Sequence, residues 1–256
     1  MEHVLITQGR VIGALILRET RTTFGASQLG YLWAILNPAI GIAVLTAIFT
    51  TIGHPPPFGS SLALFFATGF LTFELYKKLS GSLMLSFDAN KPLMLFPLVQ
   101  ATDVLIARAL LIVATYILVM VLFYTGLIIL DLASLPAHPD QVFQAIVATS
   151  LLGIGMGTTN AVIYSVFKTW KQIEEIYSRP LFFMSAIFYI PDNFPTEIVS
   201  VLSWNPVLHL VEWMREGYYP NYNSSVLSKP YVLSVAFVLL LIGFAGERLY
   251  RKKRIG

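Results

Sequence analysis

Five stretches of this chain, residues 30–52, 60–80, 103–130, 142–167 and 231–250, stay apolar over the thickness of a lipid bilayer's core. Crossing about 30 Å of hydrocarbon takes roughly 20 apolar residues in a helix. The helix is obligatory there, because it pairs every backbone N–H and C=O within one segment. A water-soluble domain has no means of covering five such runs. Only 12% of the 256 residues are charged, against about 25% in ordinary soluble domains. Lipid is therefore part of the solvent, and the expected fold is an all-α polytopic membrane protein.

Residues 1–24 follow another pattern. Val4-Leu5, Val11-Ile12 and Leu15-Ile16 recur at helical spacing, with Arg10, Arg18, Glu19 and Arg21 off the stripe. Such a helix is too polar to cross and is suited to lying in the head-group region. It does not read as a secretory signal, since no Lys or Arg precedes position 10 and Gln8 and Arg10 interrupt the apolar stretch.

The segment 177–215 is broken into short pieces. Leu181 to Ile190 is bracketed by Pro180 and Pro191 and spans only about 15 Å at the helical rise. It crosses only by recruiting the charged turn from Ile173. Ile198 to Trp204 and Val207 to Met214 follow as amphipathic pieces split by Asn205-Pro206. They are expected to form a re-entrant helical hairpin, which needs protein or a water-filled cavity around it. Counting 173–190 as a crossing gives six transmembrane helices in one domain over residues 1–256: an interfacial helix over 1–29 and a membrane domain over 30–250.

Basic residues orient the spans. With the N-terminus inside, fifteen of the seventeen Lys and Arg fall on cytoplasmic segments, leaving only Arg215 and Lys229 outside. Both termini are then cytoplasmic.

Chemistry-bearing motifs are few. No GxxxxGK[ST] is present, so the chain has no Walker loop for a nucleoside triphosphate, and energy must come from another chain or an ion gradient. The absence of cysteine removes disulfides and thiolate metal sites. His209 and Glu212 share a helical face. They either brace the hairpin or join a metal or acid–base site, although the histidines at 3, 54, 138 and 209 are scattered and no HExxH occurs. Gly153 and Gly157 make a small-xxx-small pair for close helix packing, within the subunit or at a dimer seam. Glu74 and Arg108 lie in apolar runs, where charges face protein or a water path unless they snorkel to the edge. The cytoplasmic stretch FDANKPLMLFP, residues 87–97, crowds Leu93, Met94, Leu95 and Phe96 beside Asp88 and Lys91. An exposed apolar cluster with a polar rim suits docking, or burial at the membrane surface.

Three segments carry a family resemblance: LRETRTTFGASQLGYLWAILNP at 17–38, IARALL at 106–111 and WNPVLHLVEWMREGYYPNY at 204–222. Together they resemble the membrane subunits of bacterial polysaccharide ABC exporters, specifically the capsular-polysaccharide permeases (the KpsM type). The likeness runs from about residue 14 to 250. It implies a homodimer in the inner (cytoplasmic) membrane with two ATPase subunits docked beneath. ATP and Mg would be held by those partners, with no cofactor, metal or catalytic residue on this chain. Arg18, Glu19, Arg21, Asp88, Lys91, Leu93 and Phe96 would meet the ATPase, and Tyr31 and Trp33 would fix the depth of the first span. Trp204, Asn205, His209, Glu212 and Arg215 would form the outer gate, with Arg108 the basic candidate along the channel. The cargo would be a lipid-linked acidic polysaccharide, passed to a periplasmic co-polymerase and an outer-membrane export protein. Nucleic acid is not expected as a partner. The alternatives are an exporter of O-antigen, teichoic acid or a small molecule, a membrane-embedded glycolipid transferase using His209 and Glu212, or a structural assembly subunit.

Overall fold

A computed structural model of the chain describes residues 2–24, 29–96 and 99–255, and every regular element among them is helical. The elements are α1 (Glu2–Phe24), α2 (Leu29–Thr51), α3 (Leu62–Met84), α4 (Ser86–Ala89), α5 (Ala101–Ile129) and α6 (Pro139–Val166). Then come α7 (Trp170–Met184), α8 (Thr196–Leu202), α9 (Pro206–Tyr218) and α10 (Lys229–Ile255).

α3 is the axis of the molecule. Ser61 starts it, its hydroxyl accepting from Leu64 N–H at 3.2 Å, and most of its side chains are buried. One core lies between α3, α2 and α5, around Ile42, Leu71, Leu75, Leu105 and Val119. A second lies between α3, α6, α9 and α10, around Phe73, Leu152, Leu210, Trp213 and Val232. Two threonine hydroxyls inside α3 are satisfied within the helix, Thr68 donating to Phe65 O at 2.8 Å and Thr72 to Thr68 O at 2.7 Å. Ser80 instead looks outward, its hydroxyl oxygen accepting from Asn160 Nδ2 of α6 at 3.0 Å.

Glycines set the closest helix approaches. A Cβ on Gly157 would come within 2.8 Å of the Leu79 carbonyl oxygen, and one on Gly153 equally near the Leu79 side chain. Both glycines thus seat α6 on α3. Gly155, on the opposite face, lets the backbone of α10 approach at Ala236. The small-xxx-small pair serves packing inside the chain.

The outward faces are apolar. Ile40, Val44 and Ile48 on α2, Leu118, Val121 and Leu122 on α5, and Leu233, Phe237 and Leu241 on α10 are exposed. Among the described residues, four helices are long and apolar enough to cross a membrane: Leu32–Thr51, Ala101–Ile129, Pro139–Val166 and Lys229–Leu249. α3 matches the expected 60–80 run, but Glu74, Lys77 and Lys78 share its length. The chain is an all-α polytopic membrane protein.

One expectation differs from the structure. The segment 173–190 is not one continuous helix: α7 ends at Met184, and the chain continues irregularly to a single 3-10 turn at Pro191–Asn193. Ala186 takes a left-handed φ of 59° in this stretch. α8 and α9 occupy the two short amphipathic pieces that follow.

Candidate functional site

Two polar clusters hold most of the residues the sequence singles out, one at each end of the helix bundle.

The first joins α1 to the loop after α3. The apolar stripe of α1, with Val11, Ile12, Leu15 and Ile16, packs on Val104 and Ala107 of α5. Gln8 Nε2 donates to Asp103 Oδ1 at 2.8 Å. The other oxygen of Asp103 accepts from the Gln100 backbone N–H at 3.0 Å, closing a capping box on α5. Further along, Arg18 donates to Asn90 Oδ1 at 2.5 Å, and Asn90 Nδ2 donates to Ser86 O at 3.0 Å. Glu19, buried, forms an ion pair with Arg108. Arg108 also donates to Ser82 O at 3.1 Å and Ser86 Oγ at 3.3 Å. Lys168, at the α6–α7 connection, pairs with Asp88 at 2.5 Å.

The structure thus divides the residues expected to meet an ATPase. Arg18, Glu19 and Asp88 are engaged inside the chain, and Leu93 is half-buried against the α1–α5 cluster. Arg21, Lys91 and Phe96 are exposed, and Leu95 more so, at 81%. Asn90 and Lys168 were not among the candidates, because nothing in their local spacing announces partners 72 and 80 residues away. Arg108 borders a cavity of about 430 Å³ whose walls also carry Glu19, Asn37, Glu74 and Lys78, with the exposed Trp33 at its side. The side chain of Tyr31 lies outside the described residues.

The second cluster is centred on α9. Asn205 caps the helix, its Oδ1 accepting from Val207 N–H at 3.0 Å, while Pro206 occupies the first turn without a donor to lose. Asn205 Nδ2 donates to Met184 O at 3.1 Å and to Ser185 Oγ at 3.0 Å. One side chain therefore starts α9 and stops α7. Arg215 and Glu212 have side chains that are 0% exposed and pair at 3.1 Å. The Arg215 guanidinium also donates to Tyr189 O at 3.1 Å and Ile187 O at 3.2 Å, and it lies 3.9 Å from the Phe65 ring centroid on α3. The planar fork suits this task, serving a carboxylate, two carbonyls and an aromatic face together. Glu212 accepts its second bond from Tyr222 OH at 2.7 Å.

His209 faces elsewhere. Its Nδ1 accepts from Ser228 N–H at 3.1 Å, and Nε2 donates to Ser203 O at 2.8 Å, which defines the Nε2–H tautomer. His209 and Glu212 share a helix but no partner, so they do not form an acid–base dyad. Among the described residues, no three His, Asp or Glu converge in a metal-binding arrangement. Trp204 is 78% exposed, with its carbonyl accepting from Tyr231 OH at 2.8 Å.

Both clusters join helix to helix within the chain. Sequence comparison shows what kind of bundle this is. The sequence profile of the ABC-2 type transporter family matches residues 10–219. The chain is 34% identical over 245 residues to the polysialic acid transport protein KpsM of Escherichia coli, covering 94% of this chain and 93% of that protein. It is 25% identical over 241 residues to the capsule polysaccharide export inner-membrane protein CtrC of Neisseria meningitidis, covering 94% and 91%. It is 26% identical over 251 residues to the capsule polysaccharide export inner-membrane protein BexB of Haemophilus influenzae, covering 97% and 94%. With its apolar helical bundle and a family match over residues 10–219, the chain belongs to the ABC-2 type transporter family, a family of transporter permeases, as a multi-pass membrane permease that works with an ATPase partner.

Proposed function

We propose that two copies of this chain form the conduit of an ABC exporter carrying a lipid-linked acidic capsular polysaccharide across the inner membrane, from cytoplasm to periplasm. Two ATPase subunits dock on the cytoplasmic side and hold the ATP and Mg. A periplasmic co-polymerase and an outer-membrane export protein take the glycan onward. The observation that carries this reading is the end-to-end correspondence with KpsM, CtrC and BexB, whose names specify polysialic acid and capsule polysaccharide.

The chain crosses six times, through α2, α3, α5, α6, α7 with its irregular continuation, and α10. It does so as one domain, with both termini cytoplasmic and α1 along the membrane surface. α8 and α9 re-enter from the periplasmic side. Support for that hairpin comes from Asn205 and Arg215, which satisfy the backbone where α7 stops. The exposed Arg21, Lys91, Leu95 and Phe96 touch the ATPase, while Arg18, Glu19, Asp88 and Leu93 hold the docking loop against α1, α5 and α6. Trp204, Asn205, His209, Glu212 and Arg215 form or brace the outer gate. Arg108 faces the cargo once its bond to Glu19 opens, and Tyr31 and Trp33 anchor α2 at the interface.

Co-expression with an ABC ATPase subunit from the same organism tests the reading. The purified complex is expected to hydrolyse ATP faster when the capsular glycolipid is added, and the isolated permease to be inert. Leu95→Asp combined with Phe96→Asp is expected to abolish co-purification of the ATPase while the permease stays in the membrane. Hydrolysis indifferent to every surface glycolipid, or undiminished co-purification of the double variant, would remove the assignment.

A further inference from the structure

α5 and α10 part where α10 runs into its basic end, leaving a cleft of about 740 Å³. Leu241, Phe244 and Leu249 of α10 line it, with Gln100 and Thr102 at the start of α5. Arg248 and Glu247 also border it; Arg248 is exposed and Glu247 buried. Beyond Arg248 the helix continues to Ile255, and the sequence puts Arg251, Lys252, Lys253 and Arg254 on that last stretch. Five cations within seven residues outweigh the one carboxylate of Glu247.

An apolar trough that runs into concentrated positive charge has two chemistries in sequence, and a lipid with an anionic head group has the same two. We infer that this cleft is a binding site for an anionic phospholipid of the bilayer. The acyl chain lies along Leu241, Phe244 and Leu249, and the phosphate lies toward Arg248 and the basic stretch beyond it. Leu241 and Leu249 are 55% and 69% exposed on a helix apolar enough to span, so their neighbour at that depth is hydrocarbon rather than a water-soluble partner. Clusters of Lys and Arg just outside a transmembrane helix select anionic over zwitterionic lipids, because the ammonium of a zwitterionic head group cancels most of its phosphate's attraction. This site is independent of which glycan is exported. It concerns the bilayer lipid that seats the end of α10 against the start of α5.

The full chain, reconstituted in nanodiscs of equal parts phosphatidylglycerol and phosphatidylethanolamine with no glycolipid, tests the site by native mass spectrometry. Phosphatidylglycerol is expected to be retained preferentially, and Arg248→Gln to lower that preference about fivefold, the worth of one basic residue near an anionic surface. Ala245→Trp fills the cleft without changing its charge and is expected to remove the retained lipid. Equal retention of the two lipids, or unchanged retention in Ala245→Trp, overturns the inference. Should Ala245→Trp not fold, photoactivatable phosphatidylglycerol is applied to the unaltered chain. Labelling within residues 100–102 and 240–249 is expected; labelling only elsewhere, or a cross-link there to a second copy of the chain, rejects the site.

Discussion

Arg215 shows how one side chain sustains a break in secondary structure inside a packed helical bundle. Between Met184 and Pro191 the backbone has left the helix, and two of its carbonyls point to the guanidinium. Without Arg215 those two carbonyls would lose this donor, and the buried Glu212 carboxylate would keep only its bond from Tyr222 OH. Removing one partner of a buried ion pair costs about 3–5 kcal/mol, so Arg215→Ala is expected to lower the thermal unfolding temperature of the purified protein sharply. Arg215→Lys should recover only part of it, since an ammonium cannot reach a carboxylate and two carbonyls in one plane. Glu212→Gln should be milder, because the amide oxygen still accepts from Arg215 while the amide NH2 can donate to the Tyr222 oxygen. A thermal shift for Arg215→Ala no larger than that for Glu212→Gln would contradict this role. Arg215 and Glu212 were legible in the sequence only as gate candidates implied by the family resemblance, with Glu212 set beside His209. Their purpose was not, because the carbonyls of Ile187 and Tyr189 carry no side-chain signature. The same limit applies to Arg108, whose carboxylate partner lies 89 residues upstream on a helix read only as a surface element.

At the scale of helices, apolar run length was a good guide to α2, α5, α6 and α10, because crossing length is fixed by the bilayer and not by tertiary contacts. It failed at the end of α7, where termination is decided by hydrogen bonds from Asn205 on another element. Packing between elements was half legible: the spacing of Gly153 and Gly157 announced a close approach, but not that α3 is the neighbour. A valine at position 157 would drive its Cβ into the Leu79 carbonyl and Leu83. Overpacking of this kind costs about 1–3 kcal/mol, and Gly157→Val is expected to reduce the folded fraction recovered from membranes. Gly81, on α3, has nothing within 4 Å of a built Cβ, so Gly81→Ala should be neutral or stabilise by up to about 1 kcal/mol through helix propensity. If the two substitutions behaved alike in a fluorescence-detected size-exclusion assay, close α3–α6 packing would not be what Gly157 provides.

Across the whole molecule, contacts between loops sort them into two ends without reference to charge. Ala137 and His138 N–H donate to Tyr218 O and Gly217 O at 3.2 and 2.9 Å, joining the α5–α6 loop to the end of α9. Phe58 of the α2–α3 loop packs edge-on against Tyr219 and Tyr222, 5.2 and 4.9 Å between centroids, and so belongs to the same end. At the other end, Lys168 reaches Asp88 and Arg18 reaches Asn90. Helix geometry alone therefore leaves two orientations, mirror choices about the bilayer plane; the orientation proposed above, with Lys91 and Lys168 in the cytoplasm, rests on the positive-inside bias. The chain contains no cysteine, so single introduced thiols report without background. Pro56→Cys, Ala137→Cys and Asn221→Cys are expected to react with a membrane-impermeant maleimide added from the periplasmic side. Lys91→Cys and Thr169→Cys should react only after the membrane is opened. Reaction of Ala137→Cys and Lys91→Cys from the same side would break the division into two ends that the Ala137–Tyr218 and Lys168–Asp88 contacts require. A clean reversal of all five would preserve the fold and overturn only its orientation, so the labelling pattern separates an error in the packing from an error in the reading of charge.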